Sequence, residues 1–215
     1  LEERLKRNNK NNTLEMIKGI SNLAKFYYIR QGEPLGTGHA ALLAKTFVGD
    51  EPFAILYGDD IIKSEIPCLK QMIDVYEKYD CNVLCAEELD NYLIPQKGII
   101  EYEDFFSLKV KGLVEKPKLE EAPSKDGTLG RYILKPEIFE ELENLNLVNG
   151  EYLLTDALLS LMKKQTFYAC KLNGKYYDVG NQFGYIKANI EFALERLDLK
   201  KQMNKYLNEF VNKDN

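Results

Sequence analysis

The 215 residues are 45% hydrophobic and 29% charged, enough apolar content to bury a core and enough length for one domain. Asp and Glu outnumber Lys and Arg by 34 to 29, a formal charge of −5, so the chain has no electrostatic footprint for nucleic acid or an anionic membrane. The longest apolar runs, such as residues 53–57, are far too short to span a bilayer, the Asn-rich start carries no signal-peptide pattern, and a cytoplasmic location is expected. Four cysteines (Cys68, Cys81, Cys85, Cys170) with a single histidine supply neither a disulfide framework nor paired zinc spacing, and they read as reduced core thiols.

Along the chain, residues 2–6 read as a helix interior, and residues 25–30 are aromatic and β-branched, as are residues 53–57. Between those two expected strands, residues 38–45 form an alanine- and leucine-rich helical stretch. A helix over 67–79, opened by Pro67, leads into a buried strand at 82–86. Strands alternating with helices imply a parallel, doubly covered sheet for this half. From Gly98 the texture changes to short alternating segments at 98–102, 106–115 and 128–134, which predict antiparallel strands and a hairpin insertion. Residues 118–127 read as an exposed loop. Helices are expected at 136–142 and 155–163, the second with Thr155 as N-cap. Asn173-Gly174 is a hairpin signal between strands at 167–172 and 175–178, and a helical region broken near Leu199 fills about 182–210. The fold class is therefore α/β, a mixed sheet flanked by helices with an antiparallel insertion and C-terminal helices.

Four segments could carry chemistry. The loop Gln31-Gly32-Glu33-Pro34-Leu35-Gly36-Thr37-Gly38-His39-Ala40 has glycines that let backbone approach a ligand, but its spacing is neither GxGxxG nor a Walker A sequence, so a tight structural turn is an equal reading. At Tyr57-Gly58-Asp59-Asp60 a buried strand delivers two carboxylates at its C-terminal edge, where open α/β sheets bind ligands. Such a pair suits a hard cation that also bridges phosphates, although Asp60 reads more simply as the cap of a following turn. Val114-Glu115-Lys116-Pro117 sets an acid beside a base, able to hydrogen-bond hydroxyls and pair with a phosphate, or to form a surface ion pair. Tyr177-Asp178-Val179-Gly180 offers a carboxylate that reads locally as a helix cap and alternatively as a metal ligand. His39 has nothing nearby to make it a general base and reads as structural.

Six strings, RQGEPLGTGHA, GDEPFAILYGDDII, GLVEKP, GRYIL, LTDAL and YYDVGNQFGYIKANIEFAL, occur in an order and spacing that closely resembles the bacterial UTP–glucose-1-phosphate uridylyltransferases. The resemblance implies a nucleotidyltransferase fold in which glucose 1-phosphate attacks the α-phosphorus of UTP, UDP-glucose forms and pyrophosphate leaves. It implies uracil contacts at Gln31 and Gly36, Mg²⁺ ligands at Asp59 and Asp178, and a sugar site of Glu115, Lys116, Gly98 and Gly130. Lys116 would hold the sugar phosphate, and the catalytic set would be Lys116, Asp59 and Asp178. It also implies self-association into a homo-oligomer.

The family opens with a strand and a GxGTR loop that holds the triphosphate, and neither precedes Leu1 here. The expectation is a single nucleotidyltransferase domain over 1–215, truncated at its N-terminus, that keeps the sugar and metal residues and binds UTP poorly on its own. Two other readings stay open at this stage. One is a shortened, inactive sugar-nucleotide-binding homologue; the other is an enzyme for a different nucleotide or sugar phosphate, such as a thymidylyltransferase.

Overall fold

The computed structural model describes residues 1–212. Contacts divide the chain into two compact units, Leu1–Glu33 and Pro34–Asn215.

The first unit holds α1 (Glu2–Arg7) and α2 (Asn11–Ser21), which bury Leu5 and Leu14. The strand expected at 25–30 is absent: this stretch is irregular, with Phe26, Tyr27 and Tyr28 exposed. Aromatic and β-branched residues favour an extended chain, but a strand exists only with a ladder partner, and the described residues provide none.

The second unit is built on a six-stranded mixed sheet. Its members are β1 (Phe53–Leu56), β3 (Asn82–Glu88), β4 (Gly98–Asp104), β5 (Lys109–Glu115), β6 (Asp126–Leu134) and β7 (Phe167–Lys171), in the spatial order β1-β6-β3-β7-β5-β4. Only β3 and β7 pair in parallel; β6 runs antiparallel between β1 and β3 and so separates two strands whose alternation with helices implied direct neighbours. The loop expected over 118–127 ends early, because Asp126 and Gly127 are buried at the start of β6.

Alternation along β3 explains why both faces are covered. Leu84 and Ala86 point into a core with Ile138, Phe139 and Leu142 of α6 (Ile138–Glu143) and Leu154, Ala157, Leu158 and Leu161 of α7 (Leu154–Met162). Val83 and Cys85 point the other way, onto Cys68 and Met72 of α5 (Cys68–Tyr79) together with Leu129, Ile133 and Cys170. Fully buried side chains such as Met72 and Phe139 each stabilise the fold by about 1.5–3 kcal/mol. All four cysteines are free and buried in this second core or beside it, as expected of apolar thiols. Helix α7 has no side-chain cap: Leu153 stands at the N-cap position and Thr155 lies inside the first turn.

A second, two-stranded sheet positions the chemistry. Strand β2 (Asp60–Lys63) pairs antiparallel with β8 (Lys175–Asp178), with Asp60 opposite Asp178. The Asn173-Gly174 turn is therefore not a hairpin, because β7 belongs to the large sheet and β8 to the small one. Gln71 of α5 holds this switch, donating to Asn173 O at 3.0 Å and accepting from Asn173 N at 2.9 Å. These bonds replace the cross-strand ladder that a hairpin would have supplied.

Short helices α3 (Gly36–Leu42) and α4 (Lys45–Val48) precede β1, and α8 (Gln182–Glu195) and α9 (Lys200–Val211) close the described chain. Asn181 caps α8, its side chain accepting from Gly184 N at 2.7 Å. Among the described residues no helix is long and apolar enough to cross a membrane.

Candidate active site

The ends of β2, β4, β5 and β8 meet the middle of β6 around a cleft of about 220 Å³. Five of the eight singled-out residues line it: Asp59, Gly98, Glu115, Gly130 and Asp178. A larger cleft of about 540 Å³, bounded by Tyr79, Lys109, Lys135 and Tyr168, contains none of them. Its lysines are committed to ion pairs, Lys135 with Asp80 at 2.9 Å and Lys109 with Glu103 at 2.8 Å.

The two adjacent carboxylates have different jobs. Asp60 is buried, and its Oδ2 accepts from Gly130 N at 2.8 Å while its Oδ1 accepts from the Tyr176 hydroxyl. It ties the small sheet to the large one instead of capping a turn, a role that depends on residues 70 and 116 positions away. Burial, and then the bond to Asp60, push the Tyr176 phenol far above its ordinary pKa, so it stays protonated and donates. Asp59 is exposed, in the turn between β1 and β2. That turn is held from outside: Arg131 donates to Tyr57 O at 2.6 Å and to Asp60 O, and Val179 N donates to Asp59 O at 2.9 Å.

Asp178 ends β8 and does not cap α8. Its Oδ1 accepts from Gly180 N at 3.1 Å, and its Oδ2 lies 3.0 Å from Lys97 Nζ. Burial works to raise its pKa, but the Lys97 hydrogen bond and charge, with help from Gly180 and Asn181, outweigh it and hold the carboxyl below its ordinary value. Lys97 also reaches the Tyr176 hydroxyl at 3.3 Å.

Asp59 and Asp178 converge on Gly180. A Cβ placed there would stand 2.7 Å from Asp59 Oδ2 and 3.3 Å from Asp178 Oδ1, so the missing side chain leaves a cradle between two carboxylate oxygens. No group of three or more acidic, His or Cys ligands forms among the described residues. Two converging carboxylates suit Mg²⁺, which keeps several waters in its shell and seldom takes an all-protein cage. The donor set therefore fits such an ion.

On the other side of the cleft, Glu115 Oε2 lies 3.2 Å from where a Gly98 Cβ would be, so a side chain at 98 would press on the carboxylate. Gly130 is tighter still: a Cβ would meet Asp60 Oδ2 at 2.2 Å and the Tyr57 ring at 2.4 Å. Lys116 does not line the cleft. It follows β5 in the left-handed region at φ 47°, its amide donates to Lys97 O at 3.0 Å, and its ammonium lies 3.7 Å from Glu115 Oε1, with the side chain 60% exposed.

Gly36 is also outside the lining residues. At φ 90° it adopts a backbone that an L side chain rarely takes, and a Cβ would meet Tyr152 O at 2.7 Å. The loop is pinned there by Gly38 N donating to Tyr152 O and Tyr152 N donating to Leu35 O, each at 2.8 Å. Gln31 belongs to the Leu1–Glu33 unit. His39 sits on α3 with its ring centroid 6.3 Å from that of Tyr152, a packing position. Sequence reasoning missed Lys97, Tyr176, Thr128 and Arg131 at or behind the cleft. Lys97, immediately before Gly98, and Arg131, immediately after Gly130, lay next to flagged residues.

Residues 2–195 match the nucleotidyl transferase family. The chain is 41% identical over 217 residues to the UTP–glucose-1-phosphate uridylyltransferase of Bacillus subtilis, covering 100% of this chain and 74% of that protein. Among solved structures, a UTP-bound UDP-glucose pyrophosphorylase from Acinetobacter baumannii superposes with a TM-score of 0.88 at 32% identity, over 97% of this chain and 74% of that one. A UDP-glucose pyrophosphorylase complexed with UDP-glucose gives a TM-score of 0.80 at 38% identity, over 88% of this chain and 74% of the other. The strand-end carboxylates, the glycine-lined cleft and these likenesses agree: the chain belongs to the nucleotidyl transferase family and, within it, to the UTP–glucose-1-phosphate uridylyltransferases.

Proposed function

We infer that this chain serves uridylyl transfer from UTP to glucose 1-phosphate, giving UDP-glucose and pyrophosphate. The observation that carries the reading is the convergence of Asp59 and Asp178 on the empty side-chain position of Gly180, across one cleft from Glu115 and Gly98.

Transfer at a phosphorus needs positioning and neutralisation of charge more than covalent help from the protein. Glu115 accepts hydrogen bonds from glucose hydroxyls, and Gly98 and Gly130 shape the sugar pocket by letting Glu115 and Asp60 pack against backbone. Lys116, exposed and weakly paired, turns to the phosphate of glucose 1-phosphate and offsets its repulsion from the triphosphate. Gln31 and Gly36 recognise the uracil. Asp59 and Asp178 hold Mg²⁺, which when bound supplies positive charge to the phosphate oxygens. The protein works in the cytoplasm and carbohydrate metabolism, binds no nucleic acid, and self-associates through its C-terminal helices, where Phe183, Tyr206 and Phe210 are exposed.

The test uses the polypeptide purified from its source cells, supplied with UTP or dTTP and a panel of sugar 1-phosphates. Fastest release of pyrophosphate with UTP and glucose 1-phosphate is the expected result. Preference for dTTP or another sugar phosphate overturns the specificity. Binding of UDP-glucose with no turnover marks a non-catalytic homologue instead.

A further inference from the structure

Lys97 is a cation placed where the proposed chemistry needs another cation. Its Nζ lies 3.0 Å from Asp178 Oδ2, its Asp178 partner is only about a third exposed at 32%, and its own side chain is 25% exposed. The ammonium also reaches the Tyr176 hydroxyl at 3.3 Å and lies 5.5 Å from that ring's centroid. Tyr176 in turn donates to Asp60, whose other oxygen accepts from Gly130 N. A continuous path of hydrogen bonds thus links Asp178 through Lys97, Tyr176 and Asp60 to the backbone of the proposed sugar pocket. The Lys97 carbonyl meanwhile accepts from Lys116 N at 3.0 Å, which fixes the start of the Glu115-Lys116 corner.

We propose that Lys97 is the resident counter-ion of Asp178, a positioning residue that orients the carboxylate in the free protein and competes there with a divalent cation until a phosphate-bearing ligand draws its ammonium away. The inference rests on the reading of Asp59 and Asp178 as the metal carboxylates and adds to it a coupling between metal and phosphate binding. An ammonium already paired to Asp178 Oδ2 repels an incoming dication at the neighbouring Oδ1 and offsets the negative charge that would attract it. A phosphate in the cleft offers that ammonium a stronger, doubly charged partner and frees Asp178. Metal and sugar nucleotide then each strengthen the other's binding, as linkage requires.

The probe is Mn²⁺, titrated into the 215-residue chain by electron paramagnetic resonance with and without UDP-glucose, with Asp178→Asn, Lys97→Met and Lys97→Arg variants alongside. Lys97→Met should bind Mn²⁺ about tenfold more tightly than the wild type without UDP-glucose, a difference that shrinks at high salt. UDP-glucose should tighten Mn²⁺ binding in the wild type and much less in Lys97→Met. Lys97→Arg should behave as the wild type does. A merely structural lysine predicts the opposite sign for Lys97→Met, because a disordered Asp178 binds metal more weakly. If Asp178→Asn lowers Mn²⁺ affinity while Lys97→Met leaves it unchanged or weaker, the counter-ion role is refuted and the metal site stands. If Asp178→Asn leaves Mn²⁺ binding unchanged, both fall together.

Discussion

Asp59 and Asp60 are neighbours in sequence, and replacing each with asparagine should separate a ligand from a structural tie. Asp60 presents two acceptors to two donors, Gly130 N and the Tyr176 hydroxyl, at a buried position. Asparagine keeps one acceptor. If its oxygen faces Gly130, its NH₂ faces Tyr176, whose hydroxyl already receives Lys97 and would then have no acceptor for its own proton. The cost is about one hydrogen bond to a charged partner, about 1.5–3 kcal/mol. For a chain of this size that lowers Tm by about 3–12 °C. Asp59 is exposed, so Asp59→Asn should shift stability by no more than about 0.5 kcal/mol. Its effect should appear as lost Mn²⁺ affinity. Thermal melts by circular dichroism and Mn²⁺ titration on both variants decide the matter. Equal melting of Asp60→Asn and wild type would refute the assignment of Asp60 as the tie between sheets, and intact Mn²⁺ binding in Asp59→Asn would remove that residue from the metal site.

Gly180→Ala puts a methyl group 2.7 Å from Asp59 Oδ2, and Mn²⁺ titration should show affinity at least about tenfold weaker as the two carboxylates are forced apart. Lys116→Ala, made in the chromosomal gene and assayed on the protein purified from those cells, should raise KM for glucose 1-phosphate by about tenfold or more and leave KM for UTP near wild type. Glu141 is buried on α6 and bonded to Lys164 and to Ser160 Oγ at 2.6 Å, and the Lys164 bond above all holds its carboxyl below the ordinary value. Its stabilisation is therefore present above the unfolded value, about 4.3, and lost as pH falls through the lower folded value. Wild type should melt above Glu141→Gln at pH 7, and the gap in Tm should close on acidification; a gap independent of pH would dismiss the ion pair as its source.

The elements that packing alone dictates were legible in the chain. Residues 82–86, a buried strand pattern, and 128–134, a short alternating one, both form inner strands of the sheet, and the helices at 67–79 and 155–163 were displaced by no more than a residue at either end. What escaped was whatever depends on a partner. The aromatic run at 25–30 has strand propensity without a ladder, and Asn173-Gly174 has hairpin chemistry while its flanks pair with different sheets. The same division holds in the cleft. Asp59, Glu115 and Asp178 were visible because strand-end carboxylates are unusual, and the roles given to them came from the resemblance. Lys97 and Tyr176 carry no local signal, since a lysine before a glycine and a tyrosine in a short strand have many uses; only the register of β2 on β8 and the hairpin of β4 with β5 bring them together.

That register also governs how this site tolerates change. Asp60 stands opposite Asp178 through backbone pairing, not through side-chain fit, so Ile61 and Ile62 can be exchanged for other strand-forming residues without altering the distance between the two carboxylate-bearing ends. A single inserted or deleted residue within β2 or β8 would instead slide Asp178 by about 3.3 Å and turn it to the opposite face of the ribbon. Natural variation should therefore be rich in substitutions at Ile61 and Ile62 and empty of length changes throughout the eight positions of β2 and β8.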